Sequence, residues 1–361
     1  MAFALSSYPI TYRAKYSGGS WSEEYLEKPH RSQEAEAGMS PEERGKLEAS
    51  RNYYEDIPLV NYTTQYGLGC FEGLKAFPMK DGGLAIFRVD RNAARFAKSM
   101  GGLKMPQFPA ESFVKACIQS VKRNADLGFR PVYDAAWEKD SFMSAAAIYM
   151  RPFSLSEGGI GVNLSKEPWV FIVSTPVGSY FSGGNSDAVV TERIRATPKG
   201  TGWIKAASNY TIAALAKSEA VEAGYMECIF LDAAHHKYVE EGSSCNIFFY
   251  LKSGELVTPE LGDTILAGIT RASIIELARD KGIKVTERQI SIEEALDQGV
   301  ECFVSGTAAG AVPVSSLTWN GKKAVFNGGA VGGLTADLRD TIKGIQYGKV
   351  EDKKGWMTRI L

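Results

Sequence analysis

From about residue 58 onward, short apolar runs alternate with amphipathic stretches, and this alternation constrains the fold more than any other feature of the chain. LAIFRV (84–89), WVFIVS (169–174), MECIFL (226–231), NIFFYL (246–251) and ECFVS (301–305) have the length and side chains of buried strands. Between them, ESFVKACIQSVKRN places Phe113, Val114, Cys117, Ile118 and Val121 on one helical face. A second helix is predicted to follow Asn209 and end at Gly224. A third runs through TRASIIELARDKG, with Thr270 as N-cap and Gly282 just past its end. The class is mixed α/β (α+β). The first ~55 residues lack this pattern, and EKPHRSQEAEAGMSPEERGK is polar. An irregular surface extension is expected there, partly helical after Pro41.

A chain of 361 residues has room for about two domains of ~150 residues each. STPVGSYFSGGNSD (174–187) has the Gly, Pro and Ser content of a linker. The expected organisation is a smaller N-terminal α/β domain (1–174, with 1–55 as the extension), a linker (175–187) and a larger C-terminal domain (188–361). A linker of this kind is a common place for an active-site cleft.

Acidic and basic residues nearly cancel, to a formal charge of -1, which argues against a nucleic-acid partner. Five widely spaced cysteines with no Cys-x-x-Cys pair argue against a disulfide framework or a cysteine-rich zinc site, so no metal is expected and the compartment reads as reducing. MAFALSSYPITYRAKY lacks a long apolar core and has one arginine, and no apolar run is long enough to span a membrane. The expectation is a cytoplasmic protein with no membrane partner.

Four segments carry candidate chemistry. In GTGWIKAASNY (200–210), Lys205 lies between Trp203-Ile204 and the small residues Ala206, Ala207 and Ser208. A lone lysine is most often on the surface. A partly buried one has a depressed pKa and a nucleophilic amine, and small neighbours let a flat ring approach the backbone. In YVEEGSSCNIFFY (238–250), Glu240 and Glu241 precede an apolar strand. They read either as solvated hairpin residues or as one inward carboxylate for a protonated ring nitrogen. Alternation along a strand lets only one of the two serve. In LAGITRASIIELA (266–278), Gly268 precedes a helix whose Ile269 and Thr270 N–H groups would point from its N-terminus, a phosphate-binding arrangement that ordinary capped helices share. SGTAAGAVP (305–313) offers the Thr307 hydroxyl and accessible amides, or simply a tight loop. Together these supply an amine, a carboxylate and an anion cup, the set that pyridoxal 5′-phosphate (PLP) enzymes require.

The chain resembles the branched-chain amino-acid aminotransferases, which are fold-type IV PLP enzymes. The resemblance spans about residues 60 to 345 and rests on YGLGCFEGLKAF (66–77), FRVDRNAARF (87–96), YMRP (149–152), TPVGSYF (175–181), KAASNY (205–210), EEGSSCN (240–246), GITR (268–271) and SGTAA (305–309), in that order. It implies two α/β domains with PLP at their interface and a homodimer whose partner subunit helps close the substrate site. By position it implies Lys205 as the Schiff-base and catalytic lysine, Glu241 facing the pyridine nitrogen, and Tyr210 bonding the ring hydroxyl oxygen. It further implies Arg95, Ile269, Thr270 and Thr307 on the phosphate, with Gly268, Ser244 and Arg195 also on the cofactor side. Tyr66, Phe71, Tyr149 and Tyr180 match an aromatic wall around a branched side chain. The amides of Ala308 and Ala309 match a site for the substrate α-carboxylate, and Arg151 and Lys75 match cationic carboxylate-recognition positions. Two departures stand out: Ala207-Ser208 replaces a usual glycine pair, and no Cys-x-x-Cys follows Ala309.

The implied reaction is transamination of L-leucine, L-isoleucine and L-valine with 2-oxoglutarate, giving branched 2-oxo acids and L-glutamate. The alternatives on the same scaffold are a D-amino-acid aminotransferase, an aminodeoxychorismate lyase and a non-catalytic PLP-binding protein.

Overall fold

The computed structural model of the protein describes residues 6–178, 186–307 and 310–361. In chain order its elements begin with β1 (Ile10–Ser17), β2 (Ser20–Glu27), α1 (Gln33–Ala37), α2 (Pro41–Arg51), α3 (Tyr62–Tyr66), β3 (Leu74–Pro78), β4 (Leu84–Phe87), α4 (Val89–Gly102), α5 (Ala110–Asp126), β5 (Ala147–Leu155) and β6 (Trp169–Val177). There follow β7 (Asp187–Val190), α6 (Asn209–Glu222), β8 (Glu227–Leu231), β9 (Val239–Gly242), β10 (Asn246–Leu251), β11 (Glu255–Thr258), α7 (Ile269–Asp280), β12 (Lys284–Glu287), α8 (Ile292–Gln298), β13 (Gly299–Gly306), β14 (Gly310–Val314), β15 (Ser316–Trp319), β16 (Lys322–Val325), α9 (Gly333–Gln346) and β17 (Met357–Arg359).

The chain divides into two units. One comprises Met1–Phe181, Ala206–Ser208 and Gly344–Leu361; the other comprises Ser182–Lys205 and Asn209–Lys343. The chain thus passes from the second unit to the first between Lys205 and Ala206, and returns between Ser208 and Asn209.

The first unit is built on a seven-stranded sheet in the order β17-β4-β3-β5-β6-β1-β2. Phe96 and Met100 of α4 and Phe113, Cys117 and Val121 of α5 share a core with Ile148, Met150 and Ile172 of the sheet. The helical face read from 111–124 is therefore the one that is buried, with Val114 and Ile118 at its margin. The segment Ala206–Ser208 is held in this unit by a bridge from Ala206 to Cys70 and by the Ala207 N–H, which donates to the Gly69 carbonyl at 2.8 Å.

The structure corrects three expectations here. The N-terminal 55 residues are not irregular. Tyr12 and Ala14 of β1 are wholly buried, β1 pairs with β6, and Gly18-Gly19 turns the chain into β2. The signal was the alternation Ile10, Tyr12, Ala14, which the charged residues that follow obscured. Helix α2 does begin at Pro41, with Ser40 and Glu43 forming a capping box. The last eighteen residues, expected with the C-terminal half, belong to the first unit, where β17 pairs with β4. The run 84–89 ends as a strand at Phe87; Arg88 takes a positive φ and Val89 already starts α4.

The second unit contains two five-stranded sheets, β12-β11-β10-β13-β14 and β16-β15-β7-β8-β9. The short 243–245 segment carries the chain from β9 in one sheet to β10 in the other. Most of β10 is buried regardless of alternation, which is why NIFFYL reads as a continuous apolar run. Phe248 of β10 stacks on Phe303 of β13 at 4.9 Å between ring centroids. A fourth correction concerns α7. Its N-cap is Gly268 and not Thr270, which stands inside the first turn, buried.

Candidate functional site

Lys205 ends the first segment of the second unit, and its Nζ donates to Tyr210 Oη at 2.9 Å. Tyr210 is the second residue of α6, so the pair spans the three-residue excursion of the chain into the first unit. Asn209, which sequence reasoning passed over, holds this arrangement. Its Nδ2 donates to the carbonyls of Thr201 and Ile204 at 2.8 and 2.9 Å, and its Oδ1 accepts from Thr201 Oγ1 at 2.7 Å. The loop that presents Lys205 is thereby tied to the start of α6.

β9 carries both Glu240 and Glu241 into buried positions. Burial raises the carboxyl of Glu240 above the ordinary range, although the Thr264 hydroxyl and the charge of Arg195 oppose this. Glu241 is enclosed. Burial pushes its carboxyl up to about 7, against the opposing pull of Arg195, the Leu266 N–H and Lys205. Arg195 forms an ion pair with Glu241, both side chains being buried. Arg195 Nη2 also donates to the carbonyls of Thr264 at 2.5 Å and Gly202 at 3.2 Å. A buried carboxylate in contact with a guanidinium can stay ionised beside a further cation, which a lone buried carboxyl cannot do.

The N-terminus of α7 lies beside this carboxyl. Its first turn contains Ile269 and Thr270, and the Gly268 N-cap provides no side-chain cap. The first amides of such a helix are donors without an intrahelical acceptor, which suits them to an anion. Position 268 requires glycine for space: a Cβ built there would lie 2.0 Å from Asn246 Oδ1. Ser244 and Thr307 come to the same end of the β10–β13 pair. Asn246 stands opposite Ser305 in register, and the Ser244 carbonyl lies close to Gly306.

The remaining described candidates lie in the first unit. Arg95 on α4 makes a two-pronged contact with Glu72, Nε to Oε1 at 2.7 Å and Nη2 to Oε2 at 2.8 Å. Glu72 is wholly buried, so the fork sets the guanidinium plane firmly. Glu72 was another residue that sequence reasoning left without a role; it stands in the CFEG stretch beside Phe71. Arg151 on β5 donates from Nη2 to Tyr149 Oη at 2.9 Å, and its guanidinium carbon lies 4.8 Å from the Phe71 ring centroid and 5.3 Å from that of Tyr149. The Nε of Arg151 is buried without a hydrogen-bond partner. Lys75 is buried on β3 directly opposite Tyr149, so the two side chains share a sheet face. Gly73 leaves room for this cluster, since a Cβ there would lie 2.1 Å from Tyr149 Oη. Tyr66 is the last residue of α3 and is exposed. Tyr180, Ala308 and Ala309 lie outside the described residues.

The second unit thus gathers an amine against a phenol, an enclosed carboxylate backed by arginine, and an uncapped helix N-terminus. This donor set suits PLP, which carries an aldehyde, a ring hydroxyl, a basic ring nitrogen and a phosphate. In the first unit, an aromatic surface holding an arginine with an unpartnered Nε suits an apolar chain or a carboxylate.

Comparisons with known proteins bear on the family and the fold. The family model for class IV amino-transferases matches residues 69–317. Branched-chain amino acid aminotransferase 1, mitochondrial, of Humulus lupulus is 37% identical over 322 residues, covering 88% of this chain and 78% of its own. The crystal structure of the Escherichia coli branched-chain amino acid aminotransferase superposes with a TM-score of 0.72 at 30% identity, covering 85% of this chain and 95% of that one. The PLP form of the Thermobaculum terrenum branched-chain amino acid aminotransferase superposes with a TM-score of 0.74 at 25% identity, covering 99% of this chain and 100% of that one.

Proposed function

The chain belongs to the class IV aminotransferases, PLP-dependent enzymes, and from that premise we propose that it transfers the amino group of L-leucine, L-isoleucine and L-valine to 2-oxoglutarate. The observation that carries this reading is the Lys205–Tyr210 contact together with the enclosed Glu241–Arg195 pair. When bound, PLP supplies an aldehyde that condenses with amines and a ring that accepts the electron pair left at the substrate Cα.

The roles of the chain's own residues follow from their chemistry. Lys205 would hold the cofactor through its amine, and that amine, when free, would take the substrate α-proton as general base and give it back as acid. Tyr210 orients that amine and the ring hydroxyl oxygen. Glu241, drawn toward its ionised form by Arg195 and by the cationic ring nitrogen itself, would hold the proton on that nitrogen. Ile269 and Thr270 receive the phosphate through their amides, with Gly268 opening the helix to it. Arg95, Thr307 and Ser244 are assigned to the same cofactor, and Ala308 and Ala309 to the substrate α-carboxylate. Phe71, Tyr149 and Tyr66 are assigned to the wall for a branched side chain, and Tyr180 is assigned to it from its place in the sequence alone. Arg151, held on that wall with an unpartnered Nε, receives the second carboxylate of 2-oxoglutarate or glutamate, with Lys75 adding positive charge.

The reading extends to a homodimer acting in the cytoplasm. Leu59, Val60, Ile160 and Val162 are exposed on two loops joined by the Asn61–Gly158 bridge and by the Gly159 N–H donating to the Val60 carbonyl. An exposed apolar patch of this kind supports burial against a second copy. Cysteines that are all free support a reducing compartment.

The test is the first half-reaction alone. Purified holoprotein given L-leucine without any oxo acid should lose its yellow absorbance and release the branched 2-oxo acid, and 2-oxoglutarate should restore the colour. No change with L-leucine, but conversion with D-alanine or aminodeoxychorismate, would move the protein to a different activity within its family.

A further inference from the structure

Asn246 is the first residue of β10, and its buried amide joins two parts of the site that are distant in sequence. Its Nδ2 donates to Glu241 Oε2 at 3.2 Å and to the Leu266 carbonyl at 2.9 Å. Both neighbours are acceptors, so the amide nitrogen must face them, and both of its hydrogens are used. The amide oxygen then lies against Gly268, where any side chain would collide with it. One short side chain therefore connects the carboxyl on β9 to the segment that opens α7. The Leu266 N–H also meets that carboxyl, which gives the connection a second strand.

We propose that Asn246 is a positioning residue for the cofactor, holding the Glu241 carboxyl at a set place relative to the N-terminus of α7. The inference rests on the PLP reading above, in which these two places receive the ring nitrogen and the phosphate. A ligand with two anchored groups gains from both only when their spacing is set before it arrives. Asn246 sets that spacing, and Gly268 is glycine because the Asn246 oxygen occupies the space beside it.

The experiment is a double-mutant cycle read by equilibrium dialysis of PLP against the apoprotein. Asn246→Ala should weaken PLP binding about tenfold, the effect of losing a charge-assisted hydrogen bond and orphaning a buried carbonyl. In a Glu241→Ala background the same change should cost less than about twofold, because the group that Asn246 positions is gone. An unchanged dissociation constant for Asn246→Ala, or an equal loss in both backgrounds, overturns the proposal.

If thermal unfolding shows that Asn246→Ala has not folded, Asn246→Asp keeps the shape and places carboxyl against carboxyl. The other charged or titratable groups that act on Glu241 are Arg195, Lys205, Arg271, Glu240 and the Cys245 thiol. The ratio of the Asn246→Asp to the wild-type dissociation constant should grow at least about tenfold from about pH 5.5 to about pH 8, as the second carboxyl ionises. A ratio that stays constant overturns the proposal. Wild-type protein that fails to bind PLP would sink the underlying reading as well, whereas wild type that binds PLP and converts L-leucine beside unaffected Asn246 variants would sink this inference alone.

Discussion

Replacing Glu241 with glutamine in the apoprotein should change how stability depends on pH. The carboxyl would ordinarily titrate at 4.5, and burial pushes it up to about 7. A carboxyl whose folded-state value exceeds its unfolded value binds its proton more tightly when folded. Its contribution to stability is therefore fully present below the unfolded value and is lost as pH rises through the folded one. The interval from 4.5 to about 7, at ~1.36 kcal/mol per pH unit, amounts to ~3 kcal/mol. Glutamine does not titrate, so the variant lacks this pH dependence, and the pull of Arg195 on the carboxylate is already contained in the folded-state value of about 7. The wild-type minus Glu241→Gln difference in unfolding free energy should accordingly fall by ~3 kcal/mol between about pH 4.5 and about pH 8. Urea unfolding of both apoproteins, followed by circular dichroism across that range, measures it. Parallel curves would refute the reasoning, and so would a difference that rises with pH. Saturating PLP should remove most of this slope, because a cationic ring nitrogen beside Glu241 favours the ionised carboxylate.

Three further substitutions probe separate parts of the site. Lys205→Ala should lower turnover by at least ~10⁴-fold while leaving the far-ultraviolet circular dichroism unchanged, and substantial retained transamination would remove the lysine from its assigned role. Arg151→Ala should slow the 2-oxoglutarate half-reaction roughly 10- to 100-fold and the L-leucine half-reaction only a few-fold, as measured by single-turnover kinetics; equal losses would show that Arg151 does not discriminate the second carboxylate. Gly73→Ala puts a methyl group where Tyr149 Oη now lies. It should raise KM for both substrates roughly tenfold by displacing Tyr149 and Arg151 together, and an unchanged KM would mean that this aromatic cluster does not line the substrate.

Much of the second unit was legible because its strands announce themselves. NIFFYL is β10 from end to end, and the helix after Asn209 begins where it was expected. The cap of α7 was misread by two residues. Threonine is a good N-cap, but here the chain uses Gly268, because the space beside it is taken by Asn246. That exclusion comes from a side chain on another strand, and no local propensity reports it. The N-terminal hairpin was missed for a related reason. β1 alternates over only a few residues before Lys15, and its partner β6 lies more than a hundred residues away, so nothing nearby shows which face is buried.

The candidate residues divide along the same line. Lys205, Glu241, Arg95 and Arg151 display chemistry, and their residue types suit cofactor or substrate groups. Asn209, Glu72 and Asn246 hold other residues in place, and each is intelligible only through a partner. Glu72 alone is a buried acid with no evident purpose; paired with Arg95 through two hydrogen bonds, it becomes the reason that the guanidinium has one orientation. Asn246 alone is a strand-end amide; between Glu241 and Leu266 it becomes a strut. Partners of this kind are brought together by the sheet register and by the order in which strands pair, both of which are properties of the whole unit. A sequence can therefore reveal which groups could react well before it reveals which residues keep them at the required distance, and those supporting residues are where substitution tests of this fold have most to teach.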